Sequence, residues 1–366
     1  MNLYQICLAV LIKHKIKVEE CYVEVNKLLK EYKESKVENP DPILLEIKFY
    51  LKEINYFESL DLIKKHFDNE EIVCVILKYE YKFFGFISKR LQNKKKIILI
   101  VVQKEGNYLG IIKSKFIDKE ICVAAIQKNG WALDYVPNEF KTKEMCLMAV
   151  KNNGRALQFV PNVLKNKEIY LAAVQQNGHA LYYVPNELRT KEMCLAAVKN
   201  NGTALEFVPN ELRNKEVCLI AVQQNGRALG FVPEELKDAG VCLFAVQQDG
   251  WAFYYVPEEL KDKDMCIVAI QQNGTSIQFI PEEFQTKEMG LAAVKQNGIA
   301  LSYVQFEFVN TELILAAVEQ NGNALDLIAD FLKDEEICLA AVQQNERALE
   351  FVPNELKEKI KLICKN

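Results

Sequence analysis

The chain has 366 residues, half of them apolar and about a quarter charged, and a net charge of −4. That balance excludes a disordered chain, and the small acidic surplus argues against a general nucleic-acid binder, which carries excess Lys and Arg. Its length would hold two or three ordinary domains, but a fixed internal period overrides that expectation, because stacked copies share one continuous core.

Residues 1–67 lack the period and read as helical. Val18, Cys21, Tyr22, Val25, Leu28, Leu29 and Tyr32 form one apolar stripe at helical spacing. After the break at Asn39-Pro-Asp-Pro42, Ile43, Leu44, Ile47, Leu51 and Ile54 form a second. A helical N-terminal cap that covers the first copy is expected. The leucine spacing of Asp41–Leu51 followed by Leu60–Lys65 also resembles an F-box, the adaptor helices of ubiquitin ligases.

Residues 68–117 carry degenerate copies, with Cys74, Ile98 and Gly106 in register and no proline column. Residues 82–119 hold ten Lys/Arg against two acids, including Lys89-Arg90 and Lys94-Lys-Lys96. Such a segment suits phosphate or anionic lipid, or is simply a solvated helix face.

From Asp118 to Lys357 the copies are regular, 24 residues each. Each opens on a capping residue (Asp118, Thr142, Asn166, Thr190 and their successors), followed in most copies by Lys-Glu, which puts an acid at the favourable end of the helix dipole. An apolar helix such as Met145–Val150 ends at Asn-Gly, where glycine is expected to close the helix in a left-handed turn. A second short helix such as Ala156–Val160 stops at Pro161, and one further turn leads to the next cap. Residues 358–366 read as a closing C-terminal cap.

Cys74, Cys122, Cys146, Cys194, Cys218, Cys242, Cys266 and Cys338 share one repeat position. Packed helices stand about 8–10 Å apart, and a disulfide needs Cα atoms within about 7 Å, so these are buried thiols suited to a reducing compartment. No Cys-x-x-Cys pair occurs, and His14, His66 and His179 lie far apart. No apolar run is long enough to span a membrane, and the N-terminus lacks the pattern of a secretion signal. Neither phosphate-cradling loop, serine elbow nor metalloprotease motif is present. A pairing of His179 with a buried thiol is unpromising, since burial keeps a thiol protonated.

The run Lys-Glu-Met-Cys-Leu-Ala-Ala-Val-Lys-Asn-Asn-Gly-x-Ala-Leu-x-Phe-Val-Pro-Asn-Glu-Leu at Lys191–Leu212 resembles domain of unknown function 4116, short helical repeats of protists, giant viruses and intracellular bacteria. The resemblance covers 118–357 and implies an all-helical array with no assigned activity. Proline after the Phe-Val pair departs from the family and interrupts the second helix.

Two positions vary among otherwise similar copies: the residue after the glycine and the one three further on. Trp131, Arg155, His179, Arg227 and Trp251 occupy the first, Tyr182 and Tyr254 the second. Freedom to vary points to solvent, and Trp, Tyr and Arg are favoured anchors of binding surfaces.

The expectation is therefore an all-α chain, an α-solenoid of about ten to twelve 24-residue helical-hairpin repeats with a helical N-terminal cap (1–67, then the array 68–366). It is expected to be a monomeric, cytoplasmic, non-enzymatic scaffold, in a host cytoplasm if it is a secreted effector. It would bind a protein or peptide through Trp131, Arg155, His179, Tyr182, Arg227, Trp251 and Tyr254, with no cofactor or metal and no specific nucleic acid. The alternatives are anion binding through 82–119 and an adaptor role for 1–67.

Overall fold

The computed structural model describes residues 68–365, so the expected N-terminal cap and the F-box-like segment lie outside the described residues. The chain divides into two compact units, 1–165 and 166–366, at a boundary between two copies. Among the described residues every element is helical and there is no strand; the fold is an all-α solenoid of 24-residue copies.

Each copy has the same three parts, and Thr190–Arg213 shows them. Thr190 accepts the amide of Met193 on its Oγ1 at 3.3 Å and so caps a ten-residue α-helix, Lys191–Asn200. That helix buries Met193, Cys194, Ala197 and Val198, two adjacent pairs one turn apart on one face. A six-residue 3₁₀ helix, Gly202–Phe207, buries Ala204 and Leu205 against it. A three-residue 3₁₀ turn, Asn210–Leu212, follows Pro209 and leads to the next cap, Asn214. The second arm is thus a tight 3₁₀ helix rather than a short α-helix, and a proline without an N–H stands where the arm stops.

Helix closure also differs from the expectation. Asn201 is extended (φ −149°, ψ 115°), and its side chain accepts the amide of Thr203 at 3.0 Å. The asparagine therefore ends one helix and caps the next. The following glycine has another purpose: a Cβ on Gly202 would lie 2.1 Å from the carbonyl oxygen of Ala221 in the next copy, and 2.3 Å from that of Ala149 at Gly130. Glycine here allows backbone to touch backbone across copies. In the last copy the equivalent Glu346 is exposed, whereas the column's glycines are buried.

In the first unit the degenerate copies keep this plan. The helices Glu70–Tyr79 and Lys95–Lys104 each precede a 3₁₀ arm, as Lys119–Lys128 does in the first regular copy. A four-residue helix, Lys89–Gln92, replaces one of the short turns. In the second unit the same plan runs from Lys167–Gln176 to Glu335–Gln344. The closing element is a continuous helix, Asn354–Lys365, which starts directly after Pro353 and absorbs the short turn expected there.

Three sets of polar links tie neighbouring copies. Asn200 accepts the amide of Gly178 at 2.7 Å and donates to the Gln175 carbonyl at 3.2 Å; Gln320 and Gln344 repeat the pattern on Gly298 and Gly322. Lys191 pairs with Glu216 at 3.0 Å and Lys167 with Glu192 at 3.2 Å, exposed contacts worth little individually. The third set involves the basic residue that ends several of the copies. Arg213 donates to the carbonyls of Val208 and Glu206 in its own copy and of Phe231 in the next, at 2.8, 3.0 and 3.0 Å. Arg189 does the same, and Lys237 and Lys333 reach across to the carbonyls of Tyr255 and Phe351 at 3.2 and 3.0 Å. The Lys237 and Lys333 side chains are only 6% and 7% exposed, so this basic column is structural.

Candidate functional site

The rigid stack positions the varied residues through the asparagine caps. Asn177, Asn225 and Asp249 accept the amides of His179, Arg227 and Trp251 at 3.0, 3.0 and 2.9 Å, fixing where each side chain leaves the backbone. Because the 3₁₀ helix has three residues per turn, Tyr182 and Tyr254 fall directly above His179 and Trp251 on the same side.

In the second unit this brings four of the sequence-selected residues into two aromatic groups. His179 meets Phe207 edge-on at 5.8 Å, and its Nε2 lies 3.0 Å from Thr203 Oγ1. Tyr182 stands beside both Tyr183 and Phe207, at 5.2 and 5.5 Å. Two copies further on, Trp251 meets Phe279 at 5.4 Å and donates from Nε1 to Thr275 Oγ1 at 3.1 Å, while Tyr254 packs between Tyr255 and Phe279, 5.1 Å from each. Arg227 joins this second group: its guanidinium lies 5.1 Å from the Trp251 ring centre and its Nε donates to Asp249 at 2.6 Å. Arg227, Trp251, Tyr254, Tyr255 and Phe279 together line a concavity of about 300 Å³.

Exposure separates these residues. Tyr182 and Tyr254 are 63% and 61% exposed, and Arg227 is exposed. Trp251 and His179 are half-buried, held against the phenylalanine of the following copy. In the first unit Trp131 is likewise half-buried, edge-on to Phe159 at 5.4 Å, and Arg155 is exposed. The two tryptophans thus serve packing as much as surface. The structure also adds aromatic residues that the variation among copies could not reveal: Phe207, Tyr255 and Phe279 sit in the nearly invariant Phe/Tyr column, which reads as core.

The cysteine column is buried throughout. Desolvation pushes the thiols of Cys122, Cys194, Cys218, Cys242, Cys266 and Cys338 up to about 11, so they stay protonated at neutral pH. Tyr170 fills the same position in its copy. Among the described residues there is no grouping of His, Cys, Asp and Glu fit for a metal ion, and no helix long and apolar enough to cross a membrane.

The basic segment 82–119 is partly neutralised by its own neighbours. Arg90 pairs with Asp68 at 3.0 Å, Lys94 pairs with Glu70, and Lys95 meets both Asp118 and Glu120. The Lys94 contact in turn holds the Glu70 carboxyl below its usual range.

A succession of short helical copies, each stacked on its neighbour and displaying distinct side chains at the same two positions, defines a helical repeat protein. The family model described as Domain of unknown function (DUF4116) matches residues 94–141, 142–189, 190–237, 238–285 and 310–357, and the chain belongs to that family. Each match spans two copies. The unmatched copy, 286–309, has Gly290 in the cysteine column and Gln305 in the proline column, yet keeps the full set of helices. No curated protein and no solved structure shows a match to the chain.

Proposed function

We propose that the chain is a non-enzymatic repeat scaffold that holds a protein or peptide partner along the ridge of varied side chains, acting as a monomer in the cytoplasm. One observation carries this reading: Tyr182 and Tyr254 are large aromatic side chains more than three-fifths exposed, yet each is braced by two neighbouring rings on a rigid backbone. An aromatic residue held rigid in solvent loses little conformational freedom on binding, which is the property of a contact anchor. The buried, protonated cysteines suit a reducing compartment and supply no nucleophile. The ion pairs of Arg90, Lys94 and Lys95 leave less unbalanced charge for phosphate, which favours a peptide over an anionic ligand.

The test is affinity purification from the native cell with the wild-type chain beside a Tyr182→Ala/Tyr254→Ala variant. A partner recovered with the wild type and lost with the variant supports the reading. Equal recovery with both, or turnover of a substrate by the purified chain, overturns it.

A further inference from the structure

We infer that Phe306 and Phe331 form a second contact surface, outside the ridge of varied side chains, for a partner segment that carries apolar residues among Lys and Arg. The surface lies on the short 3₁₀ turns that close two successive copies, Phe306–Phe308 and Asp330–Leu332. The first position of this turn is Asn, Glu or Asp in every other regular copy, from Asn138 to Asn354, and the second is Glu in all but two. Phe306 breaks the first pattern and Phe331 the second, and their side chains are 80% and 82% exposed. Tyr303 and Leu327, which end the arms leading into these turns, are exposed as well. Single apolar side chains on a surface are ordinary, but four on adjacent copies, two of them phenylalanines in polar columns, mark a place where a partner is met. Val163, the other departure, has no such company: the copies before and after carry Glu139 and Glu187 there.

The charge around the two rings selects the partner. Gln305, in the place of proline, donates from Nε2 to the carbonyl of Glu282 in the copy before at 3.0 Å, which brings Phe306 beside the turn of Glu282 and Glu283. Those two and Glu307 are exposed, and among the described residues none of the three is in an ion pair. Residues 282–336 hold three lysines against eleven Asp and Glu, a net of −8. None of the three lysines is left to balance the turns. Lys287 is taken by Glu312 at 3.1 Å, Lys333 is buried against Asp330 and the Phe351 carbonyl at 2.8 and 3.0 Å, and Lys295 stands in the last turn of its helix. The base that ends other copies is missing from these, where Gln285 and Val309 take its place; on the flanking turns Lys261 is paired with Glu258 and Lys357 is half-buried. Such a field draws in cationic segments and repels anionic membranes. It also opposes a second copy of the same surface, because a two-fold contact would set these carboxylates against themselves. Neighbouring copies stand about 8–10 Å apart, a distance that two turns of an α-helix, about 11 Å, span. Apolar side chains two turns apart would cover the rings, and Lys or Arg beside them would meet Glu282, Glu283 and Glu307.

Fluorescence anisotropy tests this with a labelled amphipathic peptide of about 18 residues, leucine on one helical face and lysine with alanine on the rest, beside a counterpart with glutamate for lysine. The lysine peptide is expected to bind and the glutamate peptide not to, with affinity falling at least about fivefold between roughly 0.05 and 0.5 M salt. Joint Phe306→Asn and Phe331→Gln substitution, which restores polar side chains to their columns, is expected to weaken binding about tenfold or more with the circular dichroism unchanged. Joint Glu282→Gln, Glu283→Gln and Glu307→Gln substitution is expected to weaken it about fivefold or more. Two controls, Val163→Gln and the joint Glu187→Gln, Glu211→Gln and Glu235→Gln, are expected to change it less than about twofold. No binding of the lysine peptide, equal binding of the two peptides, or equal effects of the surface and control variants overturns the inference. So does self-association of the chain that the phenylalanine variant abolishes, which would make the occupant a second copy. Binding lost with Tyr182→Ala/Tyr254→Ala but kept with the phenylalanine variant would put the peptide on the ridge, ending this inference and leaving the partner-binding reading standing.

Discussion

At the scale of single residues, the repeat glycine shows how close the copies come. Adding one methyl at Gly202 forces a carbon to within 2.1 Å of a backbone oxygen that has nowhere to go. Gly202→Ala is therefore expected to destabilise the array by about 2–4 kcal/mol in urea unfolding, through strain at the copy interface. Gly240 is the contrasting case. It sits on the first turn of Ala239–Gln248, where a Cβ meets nothing closer than 3.4 Å, and Gly240→Ala is expected to stabilise by about 0.5–1 kcal/mol. A matching cost at both sites would mean that the interface is slack and the glycine column a chain-flexibility effect.

The cysteines and the acidic caps set the pH limits of the same interface. Burial raises the folded-state thiol of six cysteines to about 11, against about 9 when exposed. A raised value means that the unfolded chain gives up its protons first, so stability is full below about pH 9 and falls as pH climbs towards 11. Asp118 and Asp238 are shifted the other way: Lys95 chiefly lowers the first, and the amide of Val241 chiefly lowers the second. Their contribution is present above the ordinary carboxylate range and lost as pH falls through their lowered values. Thermal melts from pH 3 to 11 are expected to show a plateau with a fall at each end. A thiol reagent at pH 8 is expected to label Cys364, the one exposed thiol among the described residues, and to reach the buried column only after unfolding.

At the scale of the element, a ten-residue helix and a six-residue 3₁₀ arm are too short to persist unaided, and what holds them is the closure of every exposed backbone group. The last residue of each copy is the instructive one. Arginine at 189 and 213 has enough donors to reach carbonyls in its own copy and in the next, whereas lysine at 237 and 333 reaches one carbonyl, in the next copy, and pairs with Glu234 or Asp330 in its own. Gln285 makes only the link within its copy, to Ile280 and Ile277 at 3.1 and 3.4 Å. Arg213→Gln is accordingly expected to cost about 1–3 kcal/mol, since it leaves the Phe231 carbonyl without its partner. Arg213→Lys, which keeps the forward link, is expected to cost about 1 kcal/mol or less. Chemical denaturation of both variants measures the difference; if they cost the same, the forward link does not tie the copies.

At the scale of the molecule, every link described joins a copy to its immediate neighbour, so stability within each unit accumulates copy by copy. Removing the whole copy 286–309 is expected to leave the helical circular dichroism per residue unchanged and to lower the melting temperature only modestly. Removing 286–297, half a copy, is expected to disrupt folding, because the Gly and Ala columns fall out of register. This tests whether the 24-residue unit, and not a larger block, is what folds. The family model's 48-residue matches raise the same question, since they pass over that copy although its helices are intact.

The period, the capping residues, the buried columns and the all-helical class could be read directly from the chain, because a repeat states the same physical demand many times. Asp118, Thr142 and Asn166 cap helices as their spacing implies, and Ala197, Cys194 and Leu205 are buried where the periodicity puts them. What the chain alone did not reveal depends on contacts between copies. Glycine after asparagine reads as a helix terminator, yet it is the neighbouring alanine carbonyl that demands it. Lys237 and Lys333, which end their copies, are buried against a carbonyl 18 residues on, a contact that no pattern within one copy announces. The varied positions pointed to the ridge, but whether Trp251 stands free or packs on the next copy follows from how copies stack. Local propensity and periodicity act within a copy, whereas a surface is made between copies, and only the tertiary structure brings those side chains together.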